Sequence, residues 1–456
     1  MQYKKYILLL FISGLFCQSL FNRIFPESYY IGDARSMAIG HSYLTFGSSS
    51  KLILSNPAKI SRLGNQLDFH INLSSLSERR SRIIRDNWGE FLAETDYAFN
   101  KNNYLSESWG GIHLNRKIFN KINSETTFAF GYHYSKLYSF NYNYEEEVRS
   151  DADLEDGIVG IDDPIIGFHT YHTEGDVGVH SIAFSMSNLS NYALGFTVNK
   201  INSQSKLNDY IYVNVIDPGY YANNNIAIAQ DINNTYKIDS DYFYTVSLDV
   251  FDSNFEITMA AEQGLSIETI GQSVPTQISN HTGLPLFFAM NSNNELEYLI
   301  AGLNQTKINK YHFGLLFKPQ NKNLSFAFET TQEWINIPLF GVNSNSNNIQ
   351  YSFGEQLKEF RFGFEYARFK SFPIRAGLVY SESILTDPKT TITLGTGKKF
   401  GKFVTLDLAL DYSTVSYNYY DLFPEQDIFN MSCELVQCDK VTENKLNILT
   451  TMKVNF

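Results

Sequence analysis

Six charged residues late in the chain fall on the polar side of alternating segments: Arg361, Glu365, Arg375, Asp407, Asp411 and Lys453. The other side of each segment is apolar. Phe360, Phe362, Phe364 and Tyr366 form one such side; Val404, Leu406, Leu408, Leu410 and Tyr412 form another. Guanidinium, ammonium and carboxylate groups on one face can do two kinds of chemistry. They can pair with one another, Glu365 with Arg375 and Asp407 or Asp411 with Lys453, and so fix a wall. Alternatively, Arg361 or Arg375 can hold the carboxylate headgroup of a ligand. The favoured reading is the structural one. Arg35, far upstream, is a further cation that could pair with one of these acids.

Little else in the chain has catalytic spacing. The nine histidines are scattered, and none sits at metal-ligand spacing with cysteine or carboxylate. No nucleophile elbow and no phosphate-cradling glycine loop is present. Only a triad assembled in space stays open, so we expect no enzyme, no metal and no cofactor. Asp151–Gly157 with Asp162 has the oxygen-rich spacing of a calcium loop. It lacks the glycine at the sixth position, where Asp156 stands, and has Asp162 rather than Glu at the twelfth. A solvated acidic loop is the favoured reading. Cys433 and Cys438 lie close together and are expected to form a disulfide in an oxidising compartment, with two free thiols as the alternative.

These residues need elements to position them. The last segment, Lys445 to Phe456, places Leu446, Ile448, Thr450, Met452, Val454 and Phe456 on one face. Asn447, Leu449, Thr451, Lys453 and Asn455 occupy the other, a period of two that marks a strand. The same alternation recurs from Leu67, Phe69, Ile71 and Leu73 onward and gives about fourteen strands. The most regular stripe is Phe128, Phe130, Tyr132, Tyr134, Tyr138, Phe140, Tyr142 and Tyr144, expected to share one outward face. Aromatics make up 15% and charged residues only 18%, which suits a wall apolar at alternate positions. Connections after even-numbered strands are short and those after odd ones mostly long. A sandwich would not sort its loops by parity. The expected fold class is therefore all-β: a transmembrane antiparallel β-barrel with an N-terminal hatch or plug, both termini periplasmic.

Three parts follow. Residues 1–19 read as a signal peptide, because Lys4 and Lys5 precede an apolar run too short to span a membrane. Residues 20–64 lack alternation and read as loop and short helix, placed to fold back inside the barrel. Residues 65–456 form the barrel and its outer loops. Losing two lysines takes the net charge from −12 to about −14, which excludes nucleic acid as a partner.

Apolar runs stand in the expected outer loops: Ile165 to Phe168, Leu284 to Met290 and Ile335 to Phe340. Ile84, Trp88, Phe91 and Leu92 have helical spacing in the first loop. Trp88, Phe91, Leu284, Leu286, Phe287, Phe288, Ile337 and Phe340 are the candidate contacts of a hydrophobic ligand at the barrel mouth. The alternative is that these runs pack on one another as the core of a lid.

Gly32-Asp33-Ala34-Arg35, Met37 and Gly40, followed by Asn56-Pro57-Ala58, resemble the N-terminal region of FadL/PorV-type outer-membrane proteins. The chain departs from that pattern at Ala38, where glycine is usual, and across Leu52–Leu54, where an acidic, alanine-rich run is common. The resemblance implies a fourteen-stranded barrel with Gly32, Arg35, Gly40, Asn56 and Pro57 in its hatch. It implies passive uptake of hydrophobic small molecules, such as long-chain fatty acids, across the cell outer membrane. The alternative branch is a PorV/PorQ-like component of type IX secretion that binds a secreted protein through its outer loops. Expected partners are outer-membrane lipid, a hydrophobic small molecule and, in the alternative, exported cargo.

Overall fold

The computed structural model describes residues 27–85, 91–115, 126–149, 164–188, 191–223, 232–238, 241–267, 269–270, 287–290, 296–301, 306–319, 323–342, 348–369, 372–382, 388–419 and 439–456. Fourteen strands form one closed antiparallel barrel. They are β1 (Gln66–Arg85), β2 (Phe91–Asn115), β3 (Thr126–Ser139, continued by Tyr142–Arg149), β4 (Ile165–Asn188) and β5 (Tyr192–Ile201, continued by Lys206–Val215). Next come β6 (Tyr242–Phe251, preceded by Ile232–Ile238), β7 (Phe255–Ile267), β8 (Thr306–Phe317), β9 (Leu324–Val342) and β10 (Asn348–Tyr366). The ring ends with β11 (Ile374–Glu382), β12 (Lys389–Phe400), β13 (Val404–Tyr419) and β14 (Asp439–Asn455). Each strand pairs with its neighbours in sequence, and β14 closes on β1 from Gln66↔Asn455 to Arg82↔Asp439. Closure pairs the first and last strands with each other, as a strand-built membrane span requires.

Alternation sets which side of the wall each residue takes. On β1, Leu67, Phe69, Ile71 and Leu73 are exposed outside, while Gln66, Asp68, His70, Asn72 and Ser74 are buried inside. On β13, Leu406, Leu408, Leu410 and Tyr412 face out and Asp407, Ala409, Asp411 and Ser413 face in. A ring of exposed aliphatic and aromatic side chains would be unstable in water, so it is the lipid-facing belt of a membrane barrel.

Two expectations need correction. The long outer connections are largely strand. β1 runs to Arg85 and β2 begins at Phe91, so the helical spacing of Ile84, Phe91 and Leu92 is not used. Trp88 lies outside the described residues. A strand of 25 residues such as β2 reaches about 80 Å at roughly 3.3 Å per residue, well past a hydrocarbon core of about 30 Å. Water bathes that upper wall, so its outer face need not be apolar, and the alternation fades.

The second correction concerns the aromatic stripe on β3. Phe130 faces out, but Tyr138, Phe140, Tyr142 and Tyr144 are buried inside. A register shift against β4 between Lys136 and Tyr138 displaces the pleat by one residue. Because the pleat has a period of two, one extra residue moves every later side chain to the other face.

The N-terminal segment lies against the inner wall as three short helices, α1 (Ala34–Met37), α2 (Tyr43–Phe46) and α3 (Leu52–Ser55), then a 3₁₀ turn, Pro57–Arg62. Asp33 caps α1, its Oδ1 accepting from the Ser36 amide at 2.9 Å. Small apolar contacts hold the segment to the wall. Leu52, Ile53 and Ile60 pack on Ile112, Ala129 and Ala183. Ile39 and Phe46 pack on Leu316 and Ala327. The wall is thinned by glycine where the segment approaches most closely. A Cβ on Gly377 would stand 2.1 Å from the Gly40 nitrogen, and one on Gly195 would stand 2.1 Å from the Ala58 nitrogen. Gly40 itself has φ +60°, a conformation that favours glycine.

Candidate functional site

Two features of the interior bear on function: the polar network that joins the N-terminal segment to the wall, and a break in the wall beside it.

The network begins at Arg35, whose Nε and Nη2 donate to Glu365 Oε2 and Oε1 at 3.0 and 2.7 Å. Glu365 Oε2 also accepts from Arg375 Nε at 2.7 Å, and Arg375 Nη1 reaches Asp407 Oδ1 at 2.7 Å. Lys453 lies 3.0 Å from Asp407 Oδ2 and donates to Ser48 Oγ at 2.6 Å. Ser48 in turn donates from its amide and hydroxyl to Asp33. Asp411 is 2.8 Å from His41 Nε2 and accepts from Asn447 at 2.6 Å. Arg361 lies over the Tyr43 ring, 4.4 Å from its centroid, donates to Thr331 at 2.6 Å and meets Glu359. Strand parity thus brings all six C-terminal charges inside, each with protein partners.

Burial alone would raise the Asp33 carboxyl. The Lys453 ammonium and the Ser36 and Ser48 amides outweigh it and hold Asp33 well below the usual carboxylate range. Burial lowers Lys51 to about 8 against the pull of Asp33 and Asp68. Its Nζ donates to the Tyr30 carbonyl at 3.0 Å.

Further anchors lie on the other side. Glu329 accepts from the Leu44 and Thr45 amides at 3.2 and 2.8 Å. Asn56 donates to Asp249 at 3.0 Å, and the Ala58 amide, after Pro57, donates to Ser247 at 2.8 Å. Lys59 and Arg62 meet Glu256 at 2.7 and 3.0 Å. Gly32 allows close packing, since a Cβ there would meet Tyr30 Oη at 2.3 Å.

The break lies between β2 and β3. Their ladder runs from Asn115↔Phe128 only to Ser108↔Ser135. β2 continues to Phe91, and β3 stays paired with β4 past its bulge as far as Asp176. Farther along, β2 and β3 meet again through side chains: Asn102 donates to the Asn143 carbonyl at 3.4 Å, and the Glu145 amide donates to Asn100 at 3.3 Å. The start of the N-terminal segment occupies the interval. Glu27 and Ser28 pair with Ser139 and Tyr138, and the Tyr29 amide donates to the Leu137 carbonyl at 2.9 Å. The Tyr29 ring then lies edge-on to Tyr104 of β2, centroids 5.9 Å apart. Above the break the inward aromatics pack as a buried cluster. Tyr142 packs on Tyr171, donates to Glu78 at 3.0 Å and stacks with Tyr144, which carries Arg80 on its face.

Some of the candidate contacts at the barrel mouth share one stretch of sheet, since the strand Leu296–Ala301 pairs with Phe287–Met290 on one side and with Leu339–Gly341 of β9 on the other. Phe91 starts β2; Phe287 and Phe288 lie in a short strand, Phe287–Met290, paired to Leu296–Ala301; Ile337 and Phe340 lie on β9. Leu284, Leu286, Cys433, Cys438 and the acidic stretch from Asp151 to Asp163 lie outside the described residues. What the sequence does not show is the buried aromatic cluster, which depends on the bulge, and a cluster of Asp68, His70 and His133. Their alternation on the polar side of β1 and β3 was legible; their proximity was not.

These features define a membrane β-barrel whose lumen is crossed by an anchored N-terminal segment. No family model and no curated protein matches the chain. Among solved structures, a FadL homologue from Pseudomonas aeruginosa superposes with a TM-score of 0.54 at 12% identity, covering 93% of this chain and 98% of that one. The toluene transporter TodX of P. putida superposes at 0.51 with 13% identity, covering 94% and 99%. The fold is therefore the FadL-type barrel.

Proposed function

We propose that the protein is a passive channel of the outer membrane for hydrophobic small molecules, and that residues 27–64 act as its hatch, with both termini periplasmic. One observation carries the reading: the β2–β3 ladder is broken beside a buried aromatic cluster, and the break is filled by the two-residue strand Glu27–Ser28 and by Tyr29. The lumen farther down is crossed by the N-terminal segment and its ion pairs, a poor path for an apolar solute. The cluster of Tyr138, Phe140, Tyr142 and Tyr171 is closed at rest and offers aromatic surface once Glu27–Tyr29 withdraws. A hydrophobic molecule caught at the outer end would move along the aromatics and leave sideways into lipid. The two superposed neighbours described as a FadL homologue and a toluene transporter support this class of solute.

The test is a disulfide across the seal. Glu27→Cys with Ser139→Cys, register partners, should close the break when oxidised. Uptake of toluene or oleate by cells carrying the variant should fall when oxidised and recover on reduction. Equal uptake in both states would sink the lateral path; no uptake by the wild-type protein would sink the channel itself.

A further inference from the structure

The wall contains a second polar feature that uptake does not use. Asp68 on β1 is in register with Gly110 on β2, which is in register with His133 on β3. His70 lies two residues along β1, on the same inner face. One potential ligand atom from each of Asp68, His70 and His133 lies within 4.8 Å of the others, and all three residues are fully buried. Gly110 makes the niche, because a Cβ there would stand 2.6 Å from His133 Nδ1 and 2.3 Å from Ser50 Oγ.

The protons in this cluster are arranged unusually. Ser50 Oγ donates to Asp68 Oδ1 at 2.5 Å and lies 2.7 Å from His133 Nδ1. With that hydroxyl proton on the Asp68 side, His133 Nδ1 must carry the hydrogen that joins it to Ser50. His133 Nε2 is then a bare lone pair, and it is buried without a hydrogen-bond partner. A buried imidazole lone pair left unpaired is destabilising. His70 is held from behind, its Nδ1 2.9 Å from Thr451 Oγ1, with Nε2 turned to Asp68 at 2.9 Å. An imidazole oriented by a partner on its far nitrogen is the usual arrangement of a metal ligand.

The geometry points to a divalent transition-metal site, of the zinc or cobalt class, formed by Asp68, His70 and His133. Two imidazoles and one carboxylate suit such ions, with water completing the shell. Around a tetrahedral ion with bonds of about 2.0–2.1 Å, ligand atoms stand roughly 3.4 Å apart. Side-chain rotation supplies the contraction from 4.8 Å. Ligation through Nε2 moves the His70 proton to Nδ1, where it donates to Thr451 Oγ1. The neighbouring cation is Lys51, held at 3.0 Å by the Tyr30 carbonyl. The ion would tie β1 to β3 across β2 and fix Ser50 of the N-terminal segment beside them.

The test uses the full chain in detergent, stripped with chelator and refolded with Zn2+ or Co2+ so that burial is no barrier to entry. One equivalent should bind, with visible ligand-field bands for Co2+. His133→Ala and His70→Ala should each weaken binding at least about tenfold, while heat-dependent electrophoretic mobility shows the variants still closed as barrels. X-ray absorption of the wild-type zinc complex should show two imidazoles, a reading independent of any variant. Failure of the wild-type protein to bind either ion, or a zinc spectrum without imidazole, overturns the site. So does undiminished binding in folded His133→Ala.

Discussion

Arg35 grips both oxygens of Glu365 with a two-pronged guanidinium contact, across 330 residues of sequence. The two ends of the pair are not equivalent. Glu365 also accepts from Arg375, whereas Arg35 has a side chain 31% exposed. Removing Glu365 leaves two guanidiniums facing a lost charge, while removing Arg35 leaves Glu365 still paired. We expect Glu365→Gln to cost about 3–5 kcal/mol, the range for breaking a buried pair, and Arg35→Gln clearly less. Urea unfolding in phospholipid vesicles measures both; equal costs would contradict the asymmetry.

Close approach at Gly40 and Gly377 gives a second expectation. A Cβ on Gly40 would stand 2.2 Å from the Phe362 carbonyl oxygen, and its φ is +60°. The obstacle is backbone, which cannot rotate away. Gly40→Ala should therefore displace the segment rather than perturb it locally, costing roughly 1–3 kcal/mol from the strained backbone alone. Limited proteolysis reads this directly: the segment should be cut faster in the variant while the wall stays resistant. Unchanged protection would show that the segment is not packed as described.

The outward and inward faces of the wall were legible in the sequence because lipid on one side and a polar lumen on the other impose opposite demands on adjacent residues. Ile71 is exposed outside and Asn72 buried inside. Lysine in place of Ile71 should cost about 2–4 kcal/mol if near the bilayer midplane. Asn72→Ser should change stability by less than about 1 kcal/mol, since it keeps a small polar group in a polar lumen. Vesicle unfolding distinguishes them, and similar costs would mean that the faces are misassigned.

The same logic explains what was not legible. Parity counting assigns Tyr142 and Tyr144 to the lipid because it carries the pleat straight through Lys136–Tyr138, where a bulge resets it. A bulge leaves no mark in an alternating sequence when both neighbouring faces already carry aromatics. Above the belt, Arg79 faces outward beside Asp96, so strand continues where alternation of polarity has stopped. The Asp68, His70 and His133 cluster needs the register of three strands, which no single segment encodes. Arg35 meeting Glu365 rather than another acid is a tertiary choice of the same kind.

Acid and alkali should act on the N-terminal segment through different residues. Asp33 is held below its unfolded value near 3.9, so its contribution is present above that pH and is lost as pH falls toward the folded pKa. Asp33→Asn should flatten this acid limb. Lys51 works in the opposite sense. Its folded pKa of about 8 is below the unfolded value of about 10.5, so the unfolded chain binds more protons between them. Stability should thus rise with pH from about 8 to 10.5, by an amount on the order of 3 kcal/mol at 1.36 kcal/mol per unit. Below pH 8 the cost of burying the ammonium is present in full. Lys51→Met removes the charge in both states and should abolish that slope while leaving the acid limb intact. Unfolding free energies of the wild-type protein and both variants, taken from about pH 2 to 10.5, check the assignment. An alkaline slope that survives Lys51→Met would place the titrating group elsewhere in the lumen.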